Sequence, residues 1–154
     1  YATQFLLENL KIESNAEIGL DLASGNGIIA YSIRQNNPKV ELHLVDDMGL
    51  AIESSKINLT DSNTYFHYNN SLEEFQNNFF DFIVCNPPFH FEYETNIEIS
   101  LSLFKEAKRC LKKDGYFQLV ANQHLNYKTH LIKLFKTVEV VNENEKFIIY
   151  KCFL

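Results

Sequence analysis

Two hydrophobic periods take turns along this chain, and their alternation limits its fold more than any other feature. "EIGLDLA" (17–23) is an apolar run of strand length that stops at "SGNG", and "IIAYSIRQNN" then has helical spacing until Pro38. "VELHLVD" (40–46) reads as a second strand, and Met48, Ile52 and Leu59 mark the helix after it. "TYFHYN" is a third strand, followed by a short helix predicted around Ser71 to Phe75, and "FFDFIVC" (79–85) is a fourth. Ile97, Leu101, Phe104, Ala107 and Leu111 form the apolar stripe of a long helix. Thr95 and Glu98 have capping-box spacing at its start, and Asp114-Gly115 predicts a left-handed cap at its end. "YFQLVA" is a fifth strand and "HLNYKTHLIKLFK" a further helix, before "TVEVVN" and "KFIIYKCFL" follow each other as strands around "ENE".

Parallel strands require crossover connections, and a helix between successive strands provides one. The pattern therefore predicts an α/β fold: a mainly parallel seven-stranded sheet with helices on both faces and a C-terminal antiparallel hairpin. At 154 residues, with no repeat and no linker, the chain is expected to be one domain over 1–154. It opens at Tyr1 without a methionine and already helical from Ala2, so we read it as a piece of something longer.

Composition narrows the classes. An apolar fraction of 45% with 14% aromatic residues is globular and excludes intrinsic disorder. No apolar run approaches the roughly 20 residues a bilayer span needs, and no charged-then-apolar leader opens the chain. Three widely separated cysteines, Cys85, Cys110 and Cys152, suit a reduced, cytoplasmic protein, and five scattered histidines predict no metal. A net charge of -6 argues against a broad basic face of the kind that holds nucleic acid non-specifically.

Three places carry candidate chemistry for a bound nucleotide. In "DLASGNG" a strand delivers Asp21, and Gly25 and Gly27 stand at the entrance to a helix, where backbone approaches a ligand closely and helix N–H groups face it. Asp46 ends the second strand about 20 residues later, the spacing at which an acidic residue accepts ribose hydroxyls. Asp47 is the competing choice. Asn70, just past the third strand, suits an adenine edge or plain turn chemistry. These features predict an adenosine-containing cofactor. "GNG" lacks the third glycine of the NAD fingerprint, although Ala30 at that position is tolerated by it, so NAD is weakened and stays open.

"NPPF" decides between cofactors. Pro87 and Pro88 remove two backbone donors and fix φ, holding the Pro87 carbonyl free to accept a hydrogen bond. The Asn86 amide oxygen is a second acceptor, and the pair suits an exocyclic NH2 aimed at an electrophile. Phe89 offers a face for a planar base.

"DLASGNG", Asp46, "NN" at 69 and 70, and "NPPF" stand in the order and spacing of class I S-adenosylmethionine-dependent methyltransferases that modify amino groups. With His90 and "EAKRCLKKDGYFQLVANQHLNY", the chain resembles the bacterial ribosomal RNA guanine-N2 methyltransferases, closer to the large-subunit subfamily, over essentially its whole length. The resemblance implies a Rossmann-like catalytic domain, the C-terminal part of a longer protein, that works in the cytoplasm on ribosomal RNA or a ribosomal subunit and turns S-adenosylmethionine into S-adenosylhomocysteine. It implies cofactor binding by Asp21, Ala23, Ser24, Gly25, Gly27, Asp46, Asp47 and Asn86, with Asn70 near the adenine and Asn86, Pro87, Pro88 and Phe89 receiving the guanine. "ATQFLL" resembles the end of another cofactor-contacting segment, which adds Thr3 and Gln4. Family members usually carry a preceding degenerate copy of the domain, thought to help bind RNA. Ala23 stands where they usually have glycine, which is tolerable if φ there is negative.

A strong base is not required, because the N2 proton becomes acidic once the methyl bond forms, and His90 is assigned loop ordering or RNA contact. Rival readings are small-subunit guanine-N2, DNA adenine-N6 and protein glutamine-N5 methyltransferases, a non-catalytic binding domain of the same fold, and an NAD-dependent oxidoreductase.

Overall fold

The computed structural model describes residues 1–87 and 94–154. Seven strands form one sheet in the order β3-β2-β1-β4-β5-β7-β6. These are β1 (Ile18–Leu22), β2 (Glu41–Asp46), β3 (Thr64–Tyr68), β4 (Phe80–Cys85), β5 (Leu111–Asn122), β6 (Thr137–Glu143) and β7 (Phe147–Phe153). Strands β1 to β5 pair in parallel, and β7 enters antiparallel between β5 and β6. The predicted architecture, including the terminal hairpin, is the one observed.

Helices α1 (Ala2–Glu8) and α2 (Ile28–Asn36) cover one face of the sheet, and α4 (Glu94–Cys110) and α5 (Lys128–Leu134) the other. Strand alternation makes both faces apolar. Phe82, Val84 and Ile149 look toward α1 and α2, while Ile83, Cys85, Phe117 and Cys152 look toward α4 and α5. Each such side chain, once fully buried, contributes about 1.5–3 kcal/mol. The Phe82 ring lies over its register partner Gly19, where a Cβ would come within 1.9 Å of the ring. No residue larger than glycine fits there.

The helix predicted to start at a Thr95 capping box already includes Glu94, so Thr95 lies inside it. Two further expectations fail where tertiary contacts override local signals. Ser71 to Phe75 forms turns instead of a helix. There the Leu72 N–H donates to the Glu106 carboxylate, and Arg109 donates to the Leu72 and Phe75 carbonyls, so the backbone of this segment is satisfied from α4. Nor does Asp114-Gly115 cap α4, which ends at Cys110. Its last carbonyls, on Arg109 and Cys110, accept from the N–H groups of Asn78 and Phe79. Leu111 therefore starts β5, and Gly115 serves close approach: a Cβ there would lie 3.0 Å from the Phe80 and Asp81 carbonyl oxygens.

The parallel strands β1, β2, β3 and β4 all end on one edge. Sheet order reverses between β1 and β4, and that edge carries the crevice where ligands of such sheets bind.

Candidate functional site

The turn from β1 to α2 is built from left-handed residues. Ala23, Gly25 and Gly27 have φ of 57°, 55° and 85°. For Ala23 the condition under which alanine would be tolerated without strain, a negative φ, is not met: the residue bears the cost of a left-handed conformation that glycine would not. The turn is held from three sides. Ser24 N–H donates to the Val45 carbonyl at 3.1 Å and Gly27 N–H to the Ser24 carbonyl at 3.0 Å. Ser55, buried on α3 (Gly49–Asn58), donates its hydroxyl to the Gly25 carbonyl at 2.9 Å. Gly27 packs so closely on Ser55 that a Cβ would sit 3.1 Å from its Oγ. Gly25 faces open space.

Asp46 ties the turn to β2. Its Oδ2 accepts from Gly25 N–H at 2.8 Å and its Oδ1 from Met48 N–H at 2.9 Å. It is buried, whereas Asp47 is exposed. Each carboxylate oxygen of Asp46 keeps acceptor capacity beyond its one backbone donor.

Two cavities meet at this point. The first, about 280 Å³, is lined by Thr3, Ser24, Gly25, Asp46, Met48 and Asn86 among others. The second, about 200 Å³, lies between Leu22, Val45, Asn69, Asn70, Ile99 and Leu103. Ala23, Asp46 and Asp47 line both. A mixed polar and apolar groove thus runs across the strand ends with Asp46 at its waist.

The predicted residues distribute as follows. Thr3, Ala23, Ser24, Gly25, Asp46, Asp47, Asn70 and Asn86 line one or both cavities. Asn86 follows β4, and its Nδ2 donates to the Thr3 hydroxyl at 2.8 Å, which joins α1 to the end of β4. Asn69 does the turn chemistry, its Oδ1 accepting from the N–H groups of Asn70 and Ser71, so the exposed Asn70 side chain is not used for it. Gln4 is not brought to the site. It is exposed, donates to Glu8 at 3.1 Å, and lines a separate cavity beside Phe147. Gly27 caps α2 and supports the turn from behind. Pro87 is half-buried. Pro88, Phe89 and His90 lie outside the described residues.

Asp21 sits beneath the turn, fully buried, and lines neither cavity. Its Oδ2 accepts from Ala30 N–H at 3.1 Å, and its Oδ1 has no partner among the described residues. Burial pushes its carboxyl well above the usual range, the Ala30 hydrogen bond opposes this, and the Asp46 charge adds to the rise. Ser24 Oγ is likewise buried without a partner. Ser24 lines the first cavity, so its orphaned Oγ marks a place where a ligand with a donor would satisfy it, whereas Asp21 Oδ1 is shut off from the groove by the turn.

Sequence reasoning missed Ser55, Ile99, Leu103 and Met48. Ser55 carries a signal only in retrospect, as a small polar residue facing the glycine turn, while Ile99 and Leu103 fall off the predicted stripe of α4. Among the described residues no group of His, Cys, Asp or Glu is placed to hold a metal, and no helix is long and apolar enough to cross a membrane. The three cysteines are buried and unpaired, and burial raises the Cys152 thiol to about 12.

Known proteins resemble this chain throughout. A model of the family described as "Methyltransferase small domain" matches residues 1–151. The ribosomal RNA large subunit methyltransferase G of Vibrio vulnificus is 37% identical over 153 residues, which cover 95% of this chain and 41% of that protein. The protein of the same name from Psychromonas ingrahamii is 34% identical, over 96% and 40%. The chain thus spans about two fifths of the length of the curated relatives it matches. Among solved structures, a T. thermophilus 16S rRNA N2 methyltransferase in complex with AdoMet and guanosine superposes with a TM-score of 0.81 at 22% identity, over 99% of this chain and 42% of that one. A ribosomal protein L11 methylase from Lactobacillus delbrueckii subsp. bulgaricus reaches 0.72 at 14% identity, over 99% and 77%. At these identities both likenesses speak to the fold.

Proposed function

We propose that this chain, which belongs to the methyltransferase small domain family, transfers a methyl group from S-adenosylmethionine to the exocyclic N2 amine of a guanine in large-subunit ribosomal RNA. The observation that carries the reading is the groove itself: two confluent cavities joined at Asp46, with Asn86 at the rim of the first. The relatives' name supports the large subunit as the source of the RNA, and the cytoplasm, where such RNA is found, is the proposed place of work.

The residues present fit the cofactor. Asp46 keeps acceptor capacity for a ribose, and the cavity of Leu22, Val45, Asn69, Asn70, Ile99 and Leu103 offers apolar walls and the exposed Asn70 amide for a flat base. The orphaned Ser24 Oγ in the first cavity suits a ligand that brings a hydrogen-bond donor. S-adenosylmethionine supplies a methyl already activated on a sulfonium.

The chain's own residues then have positioning to do. With its Nδ2 donating to Thr3, Asn86 is held so that its Oδ1 accepts from the guanine amine and keeps the nitrogen lone pair free for attack. The Pro87 carbonyl is the proposed second acceptor, with Pro88 stiffening the loop and Phe89 stacking on the base. Orientation of this kind supplies several kcal/mol of a barrier, and no base of raised strength is needed. The test is equilibrium binding of S-adenosylmethionine followed by labelled transfer to ribosomal RNA from a strain lacking the gene. Label in large-subunit RNA is expected, and label confined to small-subunit RNA, DNA or protein would refute the substrate.

A further inference from the structure

The chain's charge is unevenly placed. Residues 97–136 hold eight of the 14 Lys and Arg residues but three of the 20 Asp and Glu, whereas residues 1–96 hold four bases against 14 acids. The net -6 therefore hides a basic segment set against a strongly acidic one.

The fold sets the two helices of that segment, with Lys105, Lys108, Arg109, Lys128 and Lys133, on one side of the sheet. Helices α4 and α5 pack against each other on the same side of the sheet. Two of the eight cations are committed elsewhere: Arg109 donates to the carbonyls of Leu72 and Phe75, and Lys112 pairs with Asp81 at 3.2 Å. The other six, Lys105, Lys108, Lys113, Lys128, Lys133 and Lys136, are exposed and form no ion pair among the described residues. Such a surface carries a positive potential while the β1 to β3 side repels anions, so a polyanion is steered to one side of the molecule.

The face is continuous with the groove. Helix α4 is the next element after the strand that delivers Asn86, and its Ile99 and Leu103 wall the second cavity. We propose that the exposed lysines of the α4–α5 face hold the phosphates of the substrate RNA, so that the strand approaches Asn86 across α4 and not across the acidic β1–β3 side. This rests on the reading that the substrate is RNA, and it gives this domain an RNA-docking surface of its own.

The test compares the unchanged chain with K105Q/K108Q/K128Q/K133Q and with K39Q/K56Q, which alters two lysines outside the face. Binding of a short fluorescent RNA containing unpaired guanines is titrated at several salt concentrations, alongside melting temperature and S-adenosylmethionine affinity. The fourfold variant is expected to melt and bind cofactor as the unchanged chain does. Its RNA affinity should fall at least tenfold and its salt slope by roughly 3, at about 0.7 for each phosphate left without its lysine. The twofold variant should change little. Equal losses in both variants, an unchanged slope in the fourfold variant, or no RNA binding by the unchanged chain at low salt would each overturn the proposal. RNA binding that responds as expected without any methyl transfer would sink the enzymatic reading and leave the docking face standing.

Discussion

Asn86 and Thr3, 83 residues apart, are joined by a 2.8 Å hydrogen bond from the Asn86 amide to the Thr3 hydroxyl at the mouth of the first cavity. The bond fixes which end of the amide is committed and which is left to accept. Removing the amide with Asn86→Ala is expected to lower methyl transfer at least a hundredfold while S-adenosylmethionine affinity stays within about threefold. Thr3→Val keeps the volume and removes the partner, and a kcat loss of roughly tenfold is expected with the cofactor dissociation constant little changed. Parallel loss of binding and rate in Asn86→Ala would remove its assigned role.

Asp46 accepts from Gly25 and Met48 at once, so it braces the glycine turn as well as facing the groove. Hydrogen bonds to a charged group are worth about 1.5–3 kcal/mol each. Asp46→Ala should therefore weaken cofactor binding by at least tenfold and also lower the melting temperature. Asp47→Ala, at an exposed position, should affect binding less and melting hardly at all. Isothermal titration and thermal melts separate the two, and a larger binding loss in Asp47→Ala would move the ribose contact there.

Asp21, buried beneath the turn, should make the stability of the ligand-free chain pH-dependent, and through it the affinity for the proposed cofactor. Burial raises its folded-state pKa well above the ordinary value, with the nearby Asp46 charge adding to the effect against the Ala30 hydrogen bond. A carboxyl with a raised folded pKa contributes stability that is present below the unfolded pKa and lost as pH rises through the folded one. The ligand-free chain should accordingly lose stability as pH climbs through that interval, and Asp21→Asn should flatten the loss. A cationic ligand favours the carboxylate, so S-adenosylmethionine should bind more tightly as pH rises across the same interval, with a proton released on binding. Calorimetry in buffers of different ionisation enthalpy measures that proton, and an identical pH profile in Asp21→Asn would contradict the assignment.

Ala23 has a φ of 57°, which costs an L-residue about 1–2 kcal/mol relative to glycine before the unfolded-state entropy of glycine is counted. Ala23→Gly is expected to stabilise the chain by up to ~1 kcal/mol, read from urea midpoints, without loss of cofactor binding. Destabilisation would mean that the methyl group packs usefully enough to outweigh the strain.

Much of this was legible in the sequence because period and punctuation are local. The apolar runs, the glycines after "DLAS" and Asp46 at a strand end sufficed to forecast the seven-stranded sheet and to single out the glycine turn and Asp46, which the fold brings together. What the sequence hid depends on distant partners. The positive φ of Ala23 follows from a turn pinned by Val45, Asp46 and Ser55, and no residue next to it announces that. Gly115 looked like a helix cap but is there to let β5 pass the carbonyls of β4, while Asn78 and Phe79 cap α4 from another turn. Gln4 shares a helix with Thr3, yet the helix turns it away from the groove, and the single net charge concealed the basic α4–α5 face.

The proposed methyl transfer to guanine N2 in large-subunit RNA, with Asn86 holding the amine, would leave a product that can be identified nucleoside by nucleoside. Large-subunit RNA from a strain lacking the gene is incubated with S-adenosylmethionine and either the unchanged chain or Asn86→Ala, then digested and analysed by mass spectrometry. N2-methylguanosine is expected with the unchanged chain and none with the variant. N6-methyladenosine as the product, or N2-methylguanosine formed equally by both, would contradict the assignment.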